Sequence, residues 1–112
     1  MKIIAILGSP REQSASSAIV KTILKGAEEN GHVCSVYEVN KMNLKGCQAC
    51  GNCKKNEIDC VLNDDLKMYW NDLHEADVLI VSSPNYHANV CGPMISFLNR
   101  HYCLRKKDRT LR

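Results

Sequence analysis

Three short apolar runs, each closed by a turn and followed by a stretch of helical periodicity, limit what this chain can fold into. Lys2–Leu7 reads KIIAIL and stops at Gly8-Ser9-Pro10. Val33–Val39 reads VCSVYEV, alternates in polarity and is rich in β-branched residues. Asp77–Ser82 reads DVLIVS and ends at Ser83-Pro84. After the first run, Ala18, Ile19, Val20, Ile23, Leu24 and Ala27 recur at helical spacing, and Asn30-Gly31 supplies the stop. Before the third, Asp64-Asp65 opens a helix that reaches about Glu75 with an apolar stripe of Leu66, Tyr69, Trp70 and Leu73. Acidic residues suit that end of a helix. A third helix begins near Gly92-Pro93, with proline in its first turn, and carries Met94, Ile95, Phe97 and Leu98. The pattern β-α-β-loop-α-β-α, with apolar strands between helices, predicts an α/β fold: a doubly wound parallel sheet covered on both faces. With 112 residues there is room for one small domain.

In such sheets ligands bind beyond the carboxyl ends of the strands, where the strand order reverses. Two loops occupy that position. Gly8–Ser17, GSPREQSASS, joins the first strand to a helix N-terminus, where free backbone N–H groups and the helix dipole attract anions. Ser9, Ser14, Ser16 and Ser17 add hydroxyl donors and Arg11 a charged fork. This points to phosphate binding; a polar loop with an ordinary serine cap is the alternative. The segment is neither a Walker A loop nor a GxGxxG turn, and without a P-loop lysine it does not suit nucleoside triphosphate hydrolysis. The second loop, Ser82–Val90, reads SSPNYHANV.

Between the second strand and second helix lie Cys47, Cys50, Cys53 and Cys60, spaced C-x2-C-x2-C-x6-C. Cysteines at every third position can wrap one face of a small inorganic cluster, with the fourth arriving after a loop, as in [4Fe–4S] centres. Gly46 and Gly51 are expected to allow the sharp bends this requires. Zinc, a disulfide pair and free thiols remain open; zinc sites favour two CxxC pairs set well apart. Cys34 reads as a small core residue, while Cys91 and Cys103 fall near the third helix, in core or on the surface. Seven cysteines cannot form a complete disulfide framework.

The net charge of +3 is local. Residues 105–112, RKKDRTLR, hold five basic residues and one acid, leaving the rest slightly acidic. That reads as a solvated tail, with no basic face and no aromatic interleaving for nucleic acid. The N-terminus does not read as a secretory signal, and no apolar run is long enough to span a membrane. The expected location is the cytoplasm of a reducing cell.

Taken together, MKIIAILGSPREQSASS, the Cys47–Cys60 run and the segment from Val61 to Arg100 resemble the iron–sulfur flavoproteins, within the NADPH-dependent FMN reductase group. The resemblance covers nearly the whole chain to Arg100. It implies a flavodoxin-like fold and FMN, with the flavin phosphate on Ser9, Arg11, Ser14, Ser16 and Ser17. Pro84, Asn85, Tyr86, His87 and Asn89 would border the isoalloxazine ring, which can stack on an aromatic such as Tyr86. No residue is assigned as a general acid or base. Electrons would come from reduced ferredoxin or NAD(P)H and pass through a [4Fe–4S] cluster on Cys47, Cys50, Cys53 and Cys60. The alternatives are an NAD(P)H-dependent FMN or quinone reductase without a cluster, and a non-catalytic, truncated binding module. The chain departs from the pattern at Met94, where relatives often carry lysine, and at Asn99-Arg100, where many carry Asp-Arg. A flavodoxin-like sheet has five strands and three are legible here, so residues 1–112 are expected to form a single partial domain with a cysteine-rich loop at 46–60. They are expected either to continue in a longer domain or to associate. The resemblance implies a homodimer or homotetramer.

Overall fold

Strand β1 (Lys2–Leu7) is the middle of the sheet in the computed structural model, which describes residues 1–105. It pairs in parallel with β2 (Val33–Glu38) on one side and β3 (Val78–Ser82) on the other, giving the order β2-β1-β3. Its side chains alternate between the two faces. Ile4 and Ile6 enter one core and Ile3, Ala5 and Leu7 the other, so every position from Ile3 to Leu7 is buried. A strand buried on both faces must be apolar without a break, which is what KIIAIL is. Each large aliphatic side chain buried in this way contributes about 1.5–3 kcal/mol.

Helix α1 (Ala15–Glu29) covers the Ile3 face with Val20 and Leu24. Helices α3 (Lys67–Glu75) and α4 (Gly92–Arg100) cover the Ile4 face, where Leu66, Tyr69, Trp70, Met94 and Phe97 pack with Val39, Cys91 and Cys103. A five-residue helix, α2 (Asn52–Asn56), lies within the cysteine loop. A small hairpin of β4 (Asn85–Tyr86) and β5 (Asn89–Val90) follows β3. Short 3-10 turns span Val39–Lys41 and His101–Leu104.

The element order is the expected one, with several shifts. Strand β2 stops one residue early, because Val39 turns inward and is buried in the 3-10 turn. Helix α3 starts at Lys67, not at the aspartates, which are used otherwise. Asp64 accepts the Leu66 backbone N–H and the Arg100 guanidinium, while Asp65 accepts the Asn43 N–H. The apolar stripes are narrower than their periodicity. Ile19 and Ile23 on α1, and Ile95 and Leu98 on α4, are exposed. So are Leu79 and Val81 of β3, a strand whose ladder among the described residues is to β1 alone. Cys34 packs partly buried on the α1 side, and Cys91 and Cys103 are both core residues. The basic tail beyond Arg105 lies outside the described residues. No helix among the described residues is long and apolar enough to cross a membrane.

Candidate functional site

The strand order reverses at β1, which puts the crevice between the carboxyl ends of β1 and β3. Both anticipated loops leave from there, side by side. The Gly8 N–H donates to the Ser82 carbonyl at 2.8 Å. The Cys91 thiol donates to the Gly8 carbonyl at 3.0 Å, and the Cys91 N–H to Ser83 Oγ at 3.0 Å. A Cβ at Gly8 would stand 2.7 Å from the Ser82 oxygen and 3.0 Å from Met94 Cε, so only glycine permits this approach. Met94 is therefore a buried packing partner of Gly8.

Within the first loop, Ser14 is the N-cap of α1, its Oγ accepting the Ser17 N–H at 3.1 Å. Ser16 Oγ lies 3.4 Å from Ser14 Oγ, and Ser9 Oγ accepts the Arg11 N–H at 3.2 Å. Arg11 is exposed, whereas Ser17 is buried. An open groove beside the first turn of α1 is lined by Glu12, Gln13, Ser14, Ser17 and Lys21. Four serines, an arginine and a helix start thus share one short turn, as their spacing suggests.

The second loop is a two-residue hairpin. His87 and Ala88 have φ of 50° and 60°, the positive values of a type I′ turn. Pro84 is partly buried, and Asn85, Tyr86, His87 and Asn89 are exposed. Asn89 Oδ1 accepts the Val90 N–H at 2.8 Å, so this side chain is engaged in its own strand.

The four cysteines line a second cavity of about 390 Å³, its open mouth included, together with Cys103, Val61, Leu62, Tyr102 and Arg100. The loop is folded around left-handed residues: Gly51 at φ 77°, Ala49 at 55° and Glu57 at 52°. Gly51 bends as expected. Gly46 has no positive φ; instead a Cβ there would approach Asn99 Oδ1 to 3.3 Å. The Ala49 N–H points to Cys47 Sγ at 3.4 Å. Lys54 donates to the Tyr102 and Arg105 carbonyls and lies 4.0 Å from the Tyr102 ring centroid, fastening α2 to the turn after α4. His74 Nε2 reaches Asp59 Oδ1 at 2.9 Å and ties the approach to Cys60 onto α3.

All seven cysteines are free thiols, and among the described residues no three His, Cys, Asp or Glu side chains stand close enough to hold a metal ion. The sulfurs share one cavity without being drawn to ligand distance. A lining of thiols and apolar groups with one amide, Gln48, and one guanidinium, Arg100, but neither carboxylate nor imidazole, is chemically suited to a metal–sulfur group rather than to a hard cation.

Arg100 is the charged member of that lining, and its side chain is fully buried. Nε donates to Cys60 Sγ at 3.2 Å, Nη1 to the Lys45 carbonyl at 3.0 Å and to Asp64, and Nη2 to Asp64 at 3.2 Å. Burial by itself would lower the guanidinium pKa; the bonds to Asp64 and Cys60 outweigh it and hold the pKa above its ordinary value. Burial pushes the Cys103 thiol up to about 11, aided by Asp59, Cys60 and Cys53 and opposed by a backbone bond at Cys60. Neither Arg100 nor Cys103 stood out as a site residue in the sequence. The available signal was the spacing Met94-Phe97-Arg100, which puts an arginine in line with the buried stripe of α4.

A family model for NADPH-dependent FMN reductase matches residues 1–112. The chain belongs to that family. Among curated relatives, an iron–sulfur flavoprotein of Methanosarcina thermophila is 30% identical over the whole chain, which covers 58% of that protein. One from Archaeoglobus fulgidus is 32% identical over 89% of the chain and 45% of its own length. The chain thus spans about half the length of the curated relatives it matches. Among solved structures, an NAD(P)H:quinone oxidoreductase from Methanothermobacter marburgensis superimposes with a TM-score of 0.71 at 17% identity, over 91% of this chain and 53% of that one. That likeness bears on the fold, the flavodoxin-like α/β arrangement.

Proposed function

We propose that this chain is part of an FMN-dependent electron-transfer flavoprotein or oxidoreductase that also holds a [4Fe–4S] cluster on Cys47, Cys50, Cys53 and Cys60. The observation that carries the reading is the Gly8–Ser82 junction. It sets a serine-rich helix start and an exposed aromatic hairpin beside each other at the reversal of strand order. The phosphate of FMN sits on Ser9, Arg11, Ser14 and Ser16, with Ser17 contributing from behind as the capped amide of the same turn. Pro84, Asn85, Tyr86, His87 and Asn89 border the ring. FMN and the cluster supply the redox chemistry when bound; the protein's part is to position them and tune their potentials. The electron donor is reduced ferredoxin or NAD(P)H, and the working form is a homo-oligomer. Residues 1–112 form one partial flavodoxin-like domain.

Titration of the flavin-free protein with FMN tests the site. Arg11→Ala is expected to weaken binding by about 1.5–3 kcal/mol, the usual worth of a hydrogen bond to a charged group. Equal affinity in the variant removes Arg11 from the site. One observation favours a second reading, an NAD(P)H-dependent FMN or quinone reductase with free thiols: the cysteines share a cavity but are not gathered to ligand distance.

A further inference from the structure

A buried arginine is costly unless every donor it carries finds an acceptor. Arg100 uses its donors on three different segments. One is the Lys45 carbonyl, just before the cysteine run; one is Cys60 Sγ, the last sulfur of the run; one is Asp64, four residues beyond it. The guanidinium therefore closes the loop at its entry and its exit. Asp64 matches the charge, and Cys60 is the sulfur that receives the Nε–H. The other three cysteines of the run have no such partner in this network: Cys47 accepts from a backbone amide, and Cys47 and Cys50 are exposed.

We propose that Arg100 is the positioning residue of the cysteine cavity. It locks Cys60 in place and, through an N–H···S bond from a fixed cation, makes a cluster bound there easier to reduce. This rests on the [4Fe–4S] reading above. Hydrogen bonds to cluster sulfurs and nearby charge are among the levers that set the potential of such centres. With the net charge balanced by Asp64, the lever is the N–H aimed at the sulfur, whose positive end favours the more negative, reduced state. Because Arg100 ends the helix whose first residues pack at the Gly8–Ser82 junction, α4 joins the two sites through one rigid element of nine residues.

The test compares anaerobically reconstituted wild type with two variants. Arg100→Lys keeps the charge but cannot reach Lys45, Cys60 and Asp64 at once. The double variant Asp64→Leu/Arg100→Met replaces the ion pair by apolar side chains, an exchange that buried pairs commonly survive. The readouts are iron and sulfide content and a redox titration followed by electron paramagnetic resonance. Expected is a cluster in all three, with the double variant reduced about tenfold less readily, a shift of 59 mV to lower potential for one electron, and Arg100→Lys between. A purely structural role lowers iron content without moving the potential. Potentials equal to wild type in the variants that hold a cluster overturn the inference while leaving the cluster reading intact. Wild-type protein that takes up neither iron nor sulfide overturns both.

Discussion

His101 shows how one side chain ties the helical layer together and what that costs. Its Nδ1 faces the Phe97 carbonyl at 2.9 Å, so Nδ1 carries the proton. Nε2 is then the acceptor for the Tyr69 hydroxyl at 2.7 Å. The ring packs edge-on against Tyr69, Trp70 and Phe97, with centroids 4.6–5.5 Å apart. Burial lowers the His101 pKa below its ordinary 6.5, outweighing the backbone groups of Phe97 and Leu98 that raise it. Below that pH the unfolded chain takes up a proton that the folded one refuses, so stability is full above 6.5 and falls as pH drops. Denaturant midpoints at about pH 7.5 and about pH 5.5 check this. The midpoint should fall on acidification, and fall less in His101→Gln. A wild-type midpoint that does not move contradicts it. Asp72, whose pKa is lowered by the bonds from Tyr37 and Lys2, contributes only further into the acid range, below 3.8.

Among the elements, the β4–β5 hairpin is the one built against local preference. Type I′ turns favour Asn-Gly, because both central residues need positive φ, and this turn uses His87-Ala88. Each non-glycine residue there costs about 1–2 kcal/mol. Ala88→Gly should therefore stabilise the folded chain by about 0.5–1 kcal/mol once glycine's greater freedom in the unfolded state is deducted. Chemical denaturation reads this directly, and a variant less stable than wild type would show that Ala88 is not strained. The absence of an Asn-Gly signal is also why the hairpin was not legible and Ser82–Val90 read only as a loop. The three sheet strands and three longer helices were legible because β1, buried on both faces, writes an unbroken apolar run, β2 and β3 keep β-branched runs bounded by turns, and the helices keep apolar stripes. Helix α2 was not, since its start and stop depend on left-handed Gly51 and Glu57 inside a stretch with no periodicity. The placement of the serine-rich turn between β1 and the start of α1 could be read from its position and its capping serine. The arginine of the cysteine cavity could not, because it lies 40 residues from the thiol it contacts.

For the whole molecule, the open side of β3 matters most. Leu79 and Val81 are exposed on a strand with one ladder partner among the described residues, and Ile19, Ile23, Ile95 and Leu98 are exposed on the helices of the two faces. An uncovered apolar edge favours pairing with another chain. The 112-residue chain is accordingly expected to associate, with a melting temperature that rises with protein concentration. Light scattering and unfolding at several concentrations check this; a monomer with a concentration-independent melting temperature contradicts it. The proposed phosphate loop is anchored on β1 and α1, which carry buried residues, and the cysteine cavity on the buried end of α4 at Arg100. Cofactor binding is thus the more direct test of the account. The deciding measurement is the visible absorption spectrum of protein purified without oxygen, with iron and sulfide analysis of the same sample. The account predicts flavin bands overlaid on a broad brown shoulder, with iron and sulfide present and FMN released on denaturation. A colourless protein that binds no added FMN would contradict it.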